Sequence, residues 1–109
     1  LTEIHHPQKK DAPSGTAITL ANDTLKESAV KKQWVNHETA NSSDLIILSR
    51  REEGVTGIHT IEYFSPVDKI QITHEAFSRE GFAKGAVLAA GWIAGKKGFY
   101  EFREILNEL

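Results

Sequence analysis

Two stretches of alternating residues around a short turn constrain the fold of this chain more than any other feature. Residues 58–64 alternate as strand side chains do, with one set on each face. Ser-Pro-Val-Asp at residues 65–68 is typical of a reverse turn, and residues 70–77 alternate again. The pattern predicts an antiparallel hairpin, so the fold must be built around a sheet rather than around helices alone.

The remaining segments predict two further strands and three helices. They are a strand at residues 1–6, a helix from residue 14 to about 30, a buried strand at 45–48 that continues to 50, a helix at 82–94 and an amphipathic helix at 99–109. Residues 31–44 are polar, and we assign no element there. The order β-α-β-β-β-α-α predicts an α+β fold, with a mixed sheet of about four strands and helices packed on it.

Composition excludes several classes of function. The 109 residues suffice for one domain and are too few for two. A formal charge of -2 gives no electrostatic reason to expect nucleic acid or an anionic membrane as partner. Cysteine is absent, which excludes disulfides and thiol chemistry and fits a cytoplasmic protein. No apolar run is long enough to predict a membrane span.

One segment, residues 3–17, combines groups that bind anions with groups that transfer protons. Its sequence is Glu-Ile-His-His-Pro-Gln-Lys-Lys-Asp-Ala-Pro-Ser-Gly-Thr-Ala. It ends in a predicted helix start, where unsatisfied N–H groups and the positive end of the helix dipole attract anions. Gly15 has no side chain to keep a ligand from the backbone, and the Thr16 hydroxyl can donate a further hydrogen bond. This helix start is predicted to hold a carboxylate or a phosphate.

Acid–base groups precede the helix start. Histidine titrates near neutral pH, and a lysine beside other cations releases its proton more readily, so either kind of residue in this segment could donate a proton. Lys9, Lys10 and His6 could add positive charge. Ordinary roles stay open: the histidines as one core and one surface residue, the lysines as a solvated pair, and Ser14 as a helix cap. The coincidence of these groups at one helix entrance favours chemistry on a small acidic molecule.

Strand and helix geometry disfavours a metal site and a serine hydrolase. Adjacent strand residues point to opposite faces, so His5 and His6 form a poor chelating pair, and we expect no metal. Ser14, with His5 and Asp11, has the composition of a hydrolase triad. However, the Gly-x-Ser-x-Gly elbow is missing, and Ser14 lies where a helix cap belongs.

Residues 3–17 closely resemble the signature of the 4-hydroxy-tetrahydrodipicolinate reductase family, formerly called dihydrodipicolinate reductases, of the lysine and diaminopimelate pathway. Later landmarks of that family follow in the same order: Arg50-x-x-x-x-x-x-Gly57-x-His59-Thr60, Ile72-Thr-His74, Ser78-Arg79 and Phe82-Ala-x-Gly-Ala86. The resemblance covers essentially the whole chain and is weakest at residues 31–44. It implies the fold of the C-terminal domain of a Rossmann-type reductase.

The resemblance implies roles for residues at the helix entrance. It implies that His5 is a proton donor or acceptor and that Lys9 is a second proton donor. It also implies that His6 binds the substrate and that Gly15 and Thr16 hold a substrate carboxylate. The implied reaction is the reduction of a cyclic dicarboxylate to tetrahydrodipicolinate by NADPH or NADH. Such a small dicarboxylate substrate agrees with the cations and the helix start in this segment.

The resemblance also implies partners beyond this chain. Arg79 and Phe82 match positions near the cofactor, but the Gly-x-Gly-x-x-Gly turn of the family's N-terminal dinucleotide-binding domain is absent. The chain begins without Met, as if in mid-strand, so we expect residues 1–109 to be a single substrate-binding and oligomerisation domain, inactive alone. The family is typically a homotetramer, and the strands at 45–77 are candidates for that contact. The alternative is a non-catalytic small-anion-binding or oligomerisation module of the same fold.

Overall fold

The computed structural model describes all residues from Leu1 to Leu109. Its elements in chain order are β1 (Thr2–His5), α1 (Gly15–Glu27), β2 (Gln33–Val35), β3 (Asp44–Ile46), β4 (Leu48–Arg51), β5 (Gly57–Phe64), β6 (Lys69–Ala76), α2 (Glu80–Ile93), α3 (Phe102–Ile105) and a 3-10 helix (Leu106–Glu108). The chain divides into two compact units, Leu1–Phe77 and Ser78–Leu109. None of its helices has the length and apolar character needed to cross a membrane.

The first unit is built on a mixed sheet of four strands in the order β4-β1-β5-β6. β1 runs parallel to β4 and antiparallel to β5, and β5 pairs antiparallel with β6. Phe64 lies opposite Lys69, and the Ser65 N–H donates to the Asp68 carbonyl at 2.9 Å, which closes the turn between them. The predicted hairpin and the four-stranded mixed sheet are therefore confirmed.

The single strand predicted at residues 45–50 is wrong, because the structure has two strands in two sheets. β3 pairs in parallel with β2 in a separate two-stranded sheet, whereas β4 belongs to the main sheet. The switch falls at Ile47, whose N–H donates to the Val35 carbonyl at 2.8 Å, while the Leu48 N–H donates to the Leu1 carbonyl at 2.9 Å. A continuous apolar run does not reveal which neighbour each backbone group pairs with.

Helix α1 begins at the predicted place and ends earlier than predicted, at Glu27. Ser14 caps its start, where the side-chain oxygen accepts a hydrogen bond from the Ala17 N–H at 3.2 Å. Ser28 ends the helix because its hydroxyl oxygen accepts hydrogen bonds from the N–H groups of residues 30 and 31. Those N–H groups are then directed away from the helical hydrogen-bond pattern.

The core of the first unit lies between α1 and the two-stranded sheet. Ala17 and Ala21 are fully buried and pack against Leu45 and Ile47. Small side chains on α1 let its backbone approach the sheet closely, and burial of a side chain such as Ile47 contributes about 2 kcal/mol. Because Ile47 lies at the junction of the two sheets, this packing holds the start of α1 beside the main sheet.

The second unit contains α2, α3 and the 3-10 helix. The helix predicted at residues 82–94 is confirmed, with its start two residues earlier. The helix predicted at 99–109 is wrong in extent, because only Phe102–Ile105 is α-helical before the 3-10 helix. Glu101 caps this short helix, and Gly98 before it has a φ of 134°, which a regular helix does not allow.

Candidate active site

A buried carboxylate lies at the centre of the candidate site. Glu3 is 0% exposed, and its paired neighbours in the sheet are Ser49 on β4 and His59 on β5. Residues paired directly across adjacent strands place their side chains on the same face. Ser49, Glu3 and His59 therefore form one row across three strands.

Side-chain and backbone donors surround the Glu3 carboxylate. Arg51 places Nη1 2.8 Å from Oε1 and Nη2 3.2 Å from Oε2. The Nδ1 of His5 lies 2.6 Å from Oε1, and the Ser14 N–H donates to Oε2 at 3.1 Å. Burial alone would raise the pKa of Glu3, but the hydrogen bonds, with those from Arg51 the largest, outweigh it and lower the pKa to about 2. The carboxylate is therefore charged at neutral pH.

The charge on Glu3 predicts a loss of stability in acid. Its pKa is about 2 in the folded chain and ordinarily 4.5, so its contribution is complete above 4.5 and is lost as the pH falls through about 2. The shift corresponds to a contribution on the order of 3 kcal/mol to the free energy of unfolding. Urea unfolding of the chain at a series of pH values between roughly 5 and 2 measures this loss.

Two glutamate variants separate Glu3 from the other acidic groups. Glu3→Gln should remove this part of the pH dependence, because the amide does not titrate. Glu53→Gln, at an exposed position in the turn after β4, should keep it. Equal pH dependence in the two variants would contradict the assignment to Glu3.

The same carboxylate orients the ring of His5. Because a charged carboxylate only accepts hydrogen bonds, the Nδ1 of His5 carries the proton in the 2.6 Å contact. Nε2 is then the ring nitrogen that can exchange a proton with a ligand. A Cβ added at Gly57 would come within 3.2 Å of this nitrogen, so the glycine leaves room for the ring in this orientation.

His59 supports the His5 ring from the neighbouring strand. The two rings meet edge to face, with centroids 5.1 Å apart. Burial, followed by the charge of His5, lowers the pKa of His59, which favours its neutral form. The Nε2 of His59 lies 2.8 Å from Ser14 Oγ. Ser14 is therefore a helix cap paired with His59, and the triad of Ser14, His5 and Asp11 is not assembled.

The loop after β1 positions Lys9 through its backbone. The Lys9 N–H donates to the His6 carbonyl at 3.1 Å, so His6 lies in a turn directly after the strand. Arg51 donates from Nε to the Lys9 carbonyl at 3.3 Å and from Nη2 to the Asp11 carbonyl at 2.6 Å. These bonds tie the middle of the lysine-containing loop, on both sides of Lys10, to β4.

The side chain of Lys9 forms a salt bridge with Asp11. Its ammonium lies 3.0 Å from the Asp11 carboxylate, and the side chain is 24% exposed. The hydrogen bond from Lys9 lowers the pKa of Asp11. The sequence suggested a lysine surrounded by cations, and this pairing corrects that expectation.

The start of α1 leaves two backbone N–H groups open to a ligand. The Ser14 side chain and carbonyl accept from the N–H groups of Ala17 and Ile18, whereas those of Gly15 and Thr16 have no acceptor within the chain. Both residues are exposed, and a Cβ at Gly15 would meet no atom within 4 Å. This geometry is what an anion-binding helix start requires.

The residues predicted for the site are divided between the two units. Five of them belong to the first unit: His5, His6, Lys9, Gly15 and Thr16. Arg79 and Phe82, expected near a cofactor, belong to the second unit, where Arg79 precedes α2 and Phe82 lies in its first turn.

Arg51 and His59 are site residues that the sequence reasoning missed. The sequence offers Arg50 and His59 only as landmarks of the family resemblance, whereas the structure places Arg51 and His59 in the site. Arg50 is exposed, whereas Arg51 is half-buried. Strand alternation places Arg51 on the same face as Ser49, which is the one signal that could have favoured it.

The fold and the site define a class: an α+β domain with an open helix start beside a carboxylate-oriented histidine and an anchored lysine loop. Comparison with known proteins agrees with this class. The family model described as "Dihydrodipicolinate reductase, C-terminus" matches residues 1–106. The chain therefore belongs to the dihydrodipicolinate reductase family and matches its C-terminal part.

Similar proteins carry one functional name. The chain is 48% identical to a 4-hydroxy-tetrahydrodipicolinate reductase of Christiangramia forsetii, over 100% of this chain and 45% of that protein. It is 45% identical to the protein of the same name from Aquifex aeolicus, over 98% of this chain and 42% of that protein. The chain thus spans less than half the length of these curated relatives.

A solved structure shares the fold. It is the dipicolinate-bound dihydrodipicolinate reductase from Paenisporosarcina sp. TG-14, which is 25% identical to this chain with a TM-score of 0.62. The similarity covers 79% of this chain and 36% of that one.

Proposed function

We propose that this chain is the substrate-binding and catalytic domain of a 4-hydroxy-tetrahydrodipicolinate reductase. The reaction is the reduction of a cyclic dicarboxylate to tetrahydrodipicolinate in lysine and diaminopimelate biosynthesis. One observation carries the proposal: the Glu3 carboxylate contacts His5 and the Ser14 N–H, and its partner Arg51 holds the Lys9 loop. The proton-transfer groups and the anion-binding start of α1 are therefore held by the same two residues, Glu3 and Arg51.

The substrate proposed here carries two carboxylates. One carboxylate binds the free N–H groups of Gly15 and Thr16, with the Thr16 hydroxyl as a further donor. Lys9, through its ammonium, and His6, through its ring, provide further contacts for the ligand beside this helix start. Dipicolinate, a planar dicarboxylate, is bound to the Paenisporosarcina relative, which supports this class of ligand.

The reaction needs a proton as well as a hydride. His5, through Nε2, donates or accepts a proton at the substrate ring, and Lys9, through its ammonium, donates one. His5 is suited to this role because its Nδ1 is fixed by Glu3. Burial lowers the pKa of His59 beside it, which favours the neutral form and limits positive charge next to the His5 ring.

The proposed cofactor is NADPH or NADH, which supplies the hydride when bound. Arg79 and Phe82 fit such a group, because an exposed guanidinium pairs with phosphate and an aromatic ring, 58% exposed, can stack on a flat heterocycle. The sequence has no Gly-x-Gly-x-x-Gly turn. We therefore propose that a separate nucleotide-binding domain holds most of the cofactor, and that the present chain alone is inactive.

The proposed enzyme is a cytoplasmic homotetramer that assembles through its sheet. Ile70 and Ile72 on β6 are 63% and 59% exposed, and they pair with Tyr63 and Ile61 on β5. Together they form an apolar strip on one face, which is typical of a surface covered by a partner. Sedimentation velocity of the intact enzyme tests the tetramer.

Binding of dipicolinate to this chain tests the substrate site. We expect NMR shift changes to centre on His6, Lys9, Gly15 and Thr16 as pyridine-2,6-dicarboxylate is added. Thr16→Val should raise the dissociation constant by about tenfold, because one hydrogen bond to a charged carboxylate is lost.

Thr19→Val is the matched control for that variant. Thr19 is exposed on the next turn of the same helix, so its replacement should leave the dissociation constant unchanged. Shift changes confined to other parts of the chain would contradict the proposed site. Dipicolinate binding without reductase activity in the intact protein would favour the non-catalytic anion-binding module instead.

A further inference from the structure

We propose that Glu3 and Arg51 form a positioning pair that sets the geometry of all three parts of the site: the His5 ring, the Lys9 loop and the start of α1. This inference rests on the proposed function and adds residues to its machinery. Neither residue is proposed to touch the substrate; each acts through the groups that do.

The first part is the His5 ring. Glu3 Oε1 accepts from His5 Nδ1 at 2.6 Å, and the same oxygen accepts from Arg51 Nη1 at 2.8 Å. The arginine therefore holds the carboxylate in the place from which it orients the ring. A histidine without this acceptor is free to carry its proton on the other nitrogen, which would leave Nε2 unable to accept one.

The second part is the start of α1. The other oxygen, Oε2, accepts from the Ser14 N–H at 3.1 Å and from Arg51 Nη2 at 3.2 Å. Ser14 is the residue directly before Gly15, so this contact fixes where the free N–H groups of the helix start lie. The Glu3 carboxylate thus sets the distance between the His5 ring and the anion-binding start of α1.

The third part is the loop that carries Lys9. Arg51 donates from Nε to the Lys9 carbonyl and from Nη2 to the Asp11 carbonyl. Nη2 also donates to Glu3. Its side chain is 21% exposed and that of Glu3 is 0% exposed. Five donors in a rigid fork are needed for such a set of contacts, which a lysine ammonium does not provide.

Stability alone does not account for this pair. Replacing a buried ion pair by apolar residues of similar volume is often neutral or stabilising, whereas removing one partner is strongly destabilising. The double variant Glu3→Met/Arg51→Met is therefore expected to fold, with a melting temperature lowered because the buried Ser14 N–H loses its acceptor. It removes the positioning contacts without leaving an unpaired buried charge.

The first measurement determines which ring nitrogen of neutral His5 carries the proton. The NMR chemical shifts of the two ring nitrogens report it. In the wild-type chain we expect the proton on Nδ1. In the Glu3→Met/Arg51→Met chain we expect the proton to move toward Nε2. A double variant that keeps the proton on Nδ1 would overturn the role of Glu3, because a residue that only supports folding does not set this preference.

The second measurement is turnover of the intact enzyme that joins this chain to its nucleotide-binding domain. Glu3→Met/Arg51→Met should lower kcat at least about tenfold, because a misoriented acid–base group loses much of its contribution. The matched control, Glu62→Met/Lys69→Met, replaces an exposed ion pair on β5 and β6 and should keep wild-type kcat. Wild-type kcat in the Glu3 and Arg51 double variant would overturn the proposal.

Arg51→Lys keeps the test decisive if the double variant does not fold. Lysine preserves a positive charge beside Glu3 but cannot make the contacts to both loop carbonyls. We expect His5 to keep its proton on Nδ1 while kcat falls; wild-type kcat would overturn the role of Arg51. If the wild-type intact protein shows no reductase activity, the proposed function fails, and the His5 measurement still decides whether Glu3 orients the ring.

Discussion

Replacing Lys9 with methionine in the intact enzyme is expected to lower kcat by about 1000-fold, while the cofactor dissociation constant stays within about twofold of wild type. Methionine matches the length of the lysine stem, which is mostly buried, but carries no proton to donate. Most of the cofactor surface belongs to the proposed nucleotide-binding domain, so its affinity should not follow the loss of turnover. Steady-state kinetics and a direct cofactor titration measure the two quantities.

Two further lysine variants separate proton donation from charge. Lys9→Arg keeps the positive charge but does not release a proton near neutral pH, so kcat should stay low while KM remains near that of wild type. Lys10→Met changes the exposed neighbour and should leave both quantities unchanged. A Lys9→Arg enzyme with wild-type kcat, or equal losses of turnover and cofactor affinity in Lys9→Met, would remove Lys9 from the proton-donor role.

The parts of the fold that were predictable from the sequence are those set by local pattern. Alternation around residues 65–68 identified the β5–β6 hairpin, and the residues before Gly15 identified the start of α1. The split at Ile47 was not predictable, because a buried strand and a crossing between two sheets have the same apolar sequence. The helix predicted at 99–109 followed apolar periodicity, which does not report that the positive φ of Gly98 and the cap at Glu101 delay the start of the helix.

The candidate site was predictable only where its residues are close in the chain. His5, Lys9, Gly15 and Thr16 lie within one segment, so their coincidence could be read directly. Arg51 reaches Glu3 across 48 residues and His59 reaches Ser14 across 45, and both contacts depend on the register of β1 with its two neighbours. Strand register is a property of pairing, which no single strand sequence determines. Strand alternation places Glu3 and His5 on one face, but the contacts of Arg51 and His59 that complete the site were accessible only from the structure.

Replacing Gly15 with valine in this chain is expected to weaken dipicolinate binding by about 100-fold, while the free energy of unfolding changes by less than about 1 kcal/mol. Gly15 has no positive φ, and a Cβ there meets no atom within 4 Å, so the fold accommodates a side chain. The isopropyl group would instead occupy the open space in front of the helix start, where the proposed carboxylate lies. Calorimetric titration and urea unfolding measure the two effects.

Gly91→Val is the control, because Gly91 also has open space around its Cβ position but lies in α2, in the second unit. It should leave dipicolinate affinity unchanged. Gly15→Val changes the shape of the helix start but alters no cation near the site. Comparing it with Gly91→Val therefore separates the contribution of shape to dipicolinate affinity from that of charge. Unchanged affinity in Gly15→Val would mean that the cations alone attract the ligand and that the helix start does not hold its carboxylate. A selective loss would show that the anion depends on close approach to the backbone N–H groups, which electrostatic attraction by lysine and histidine cannot replace.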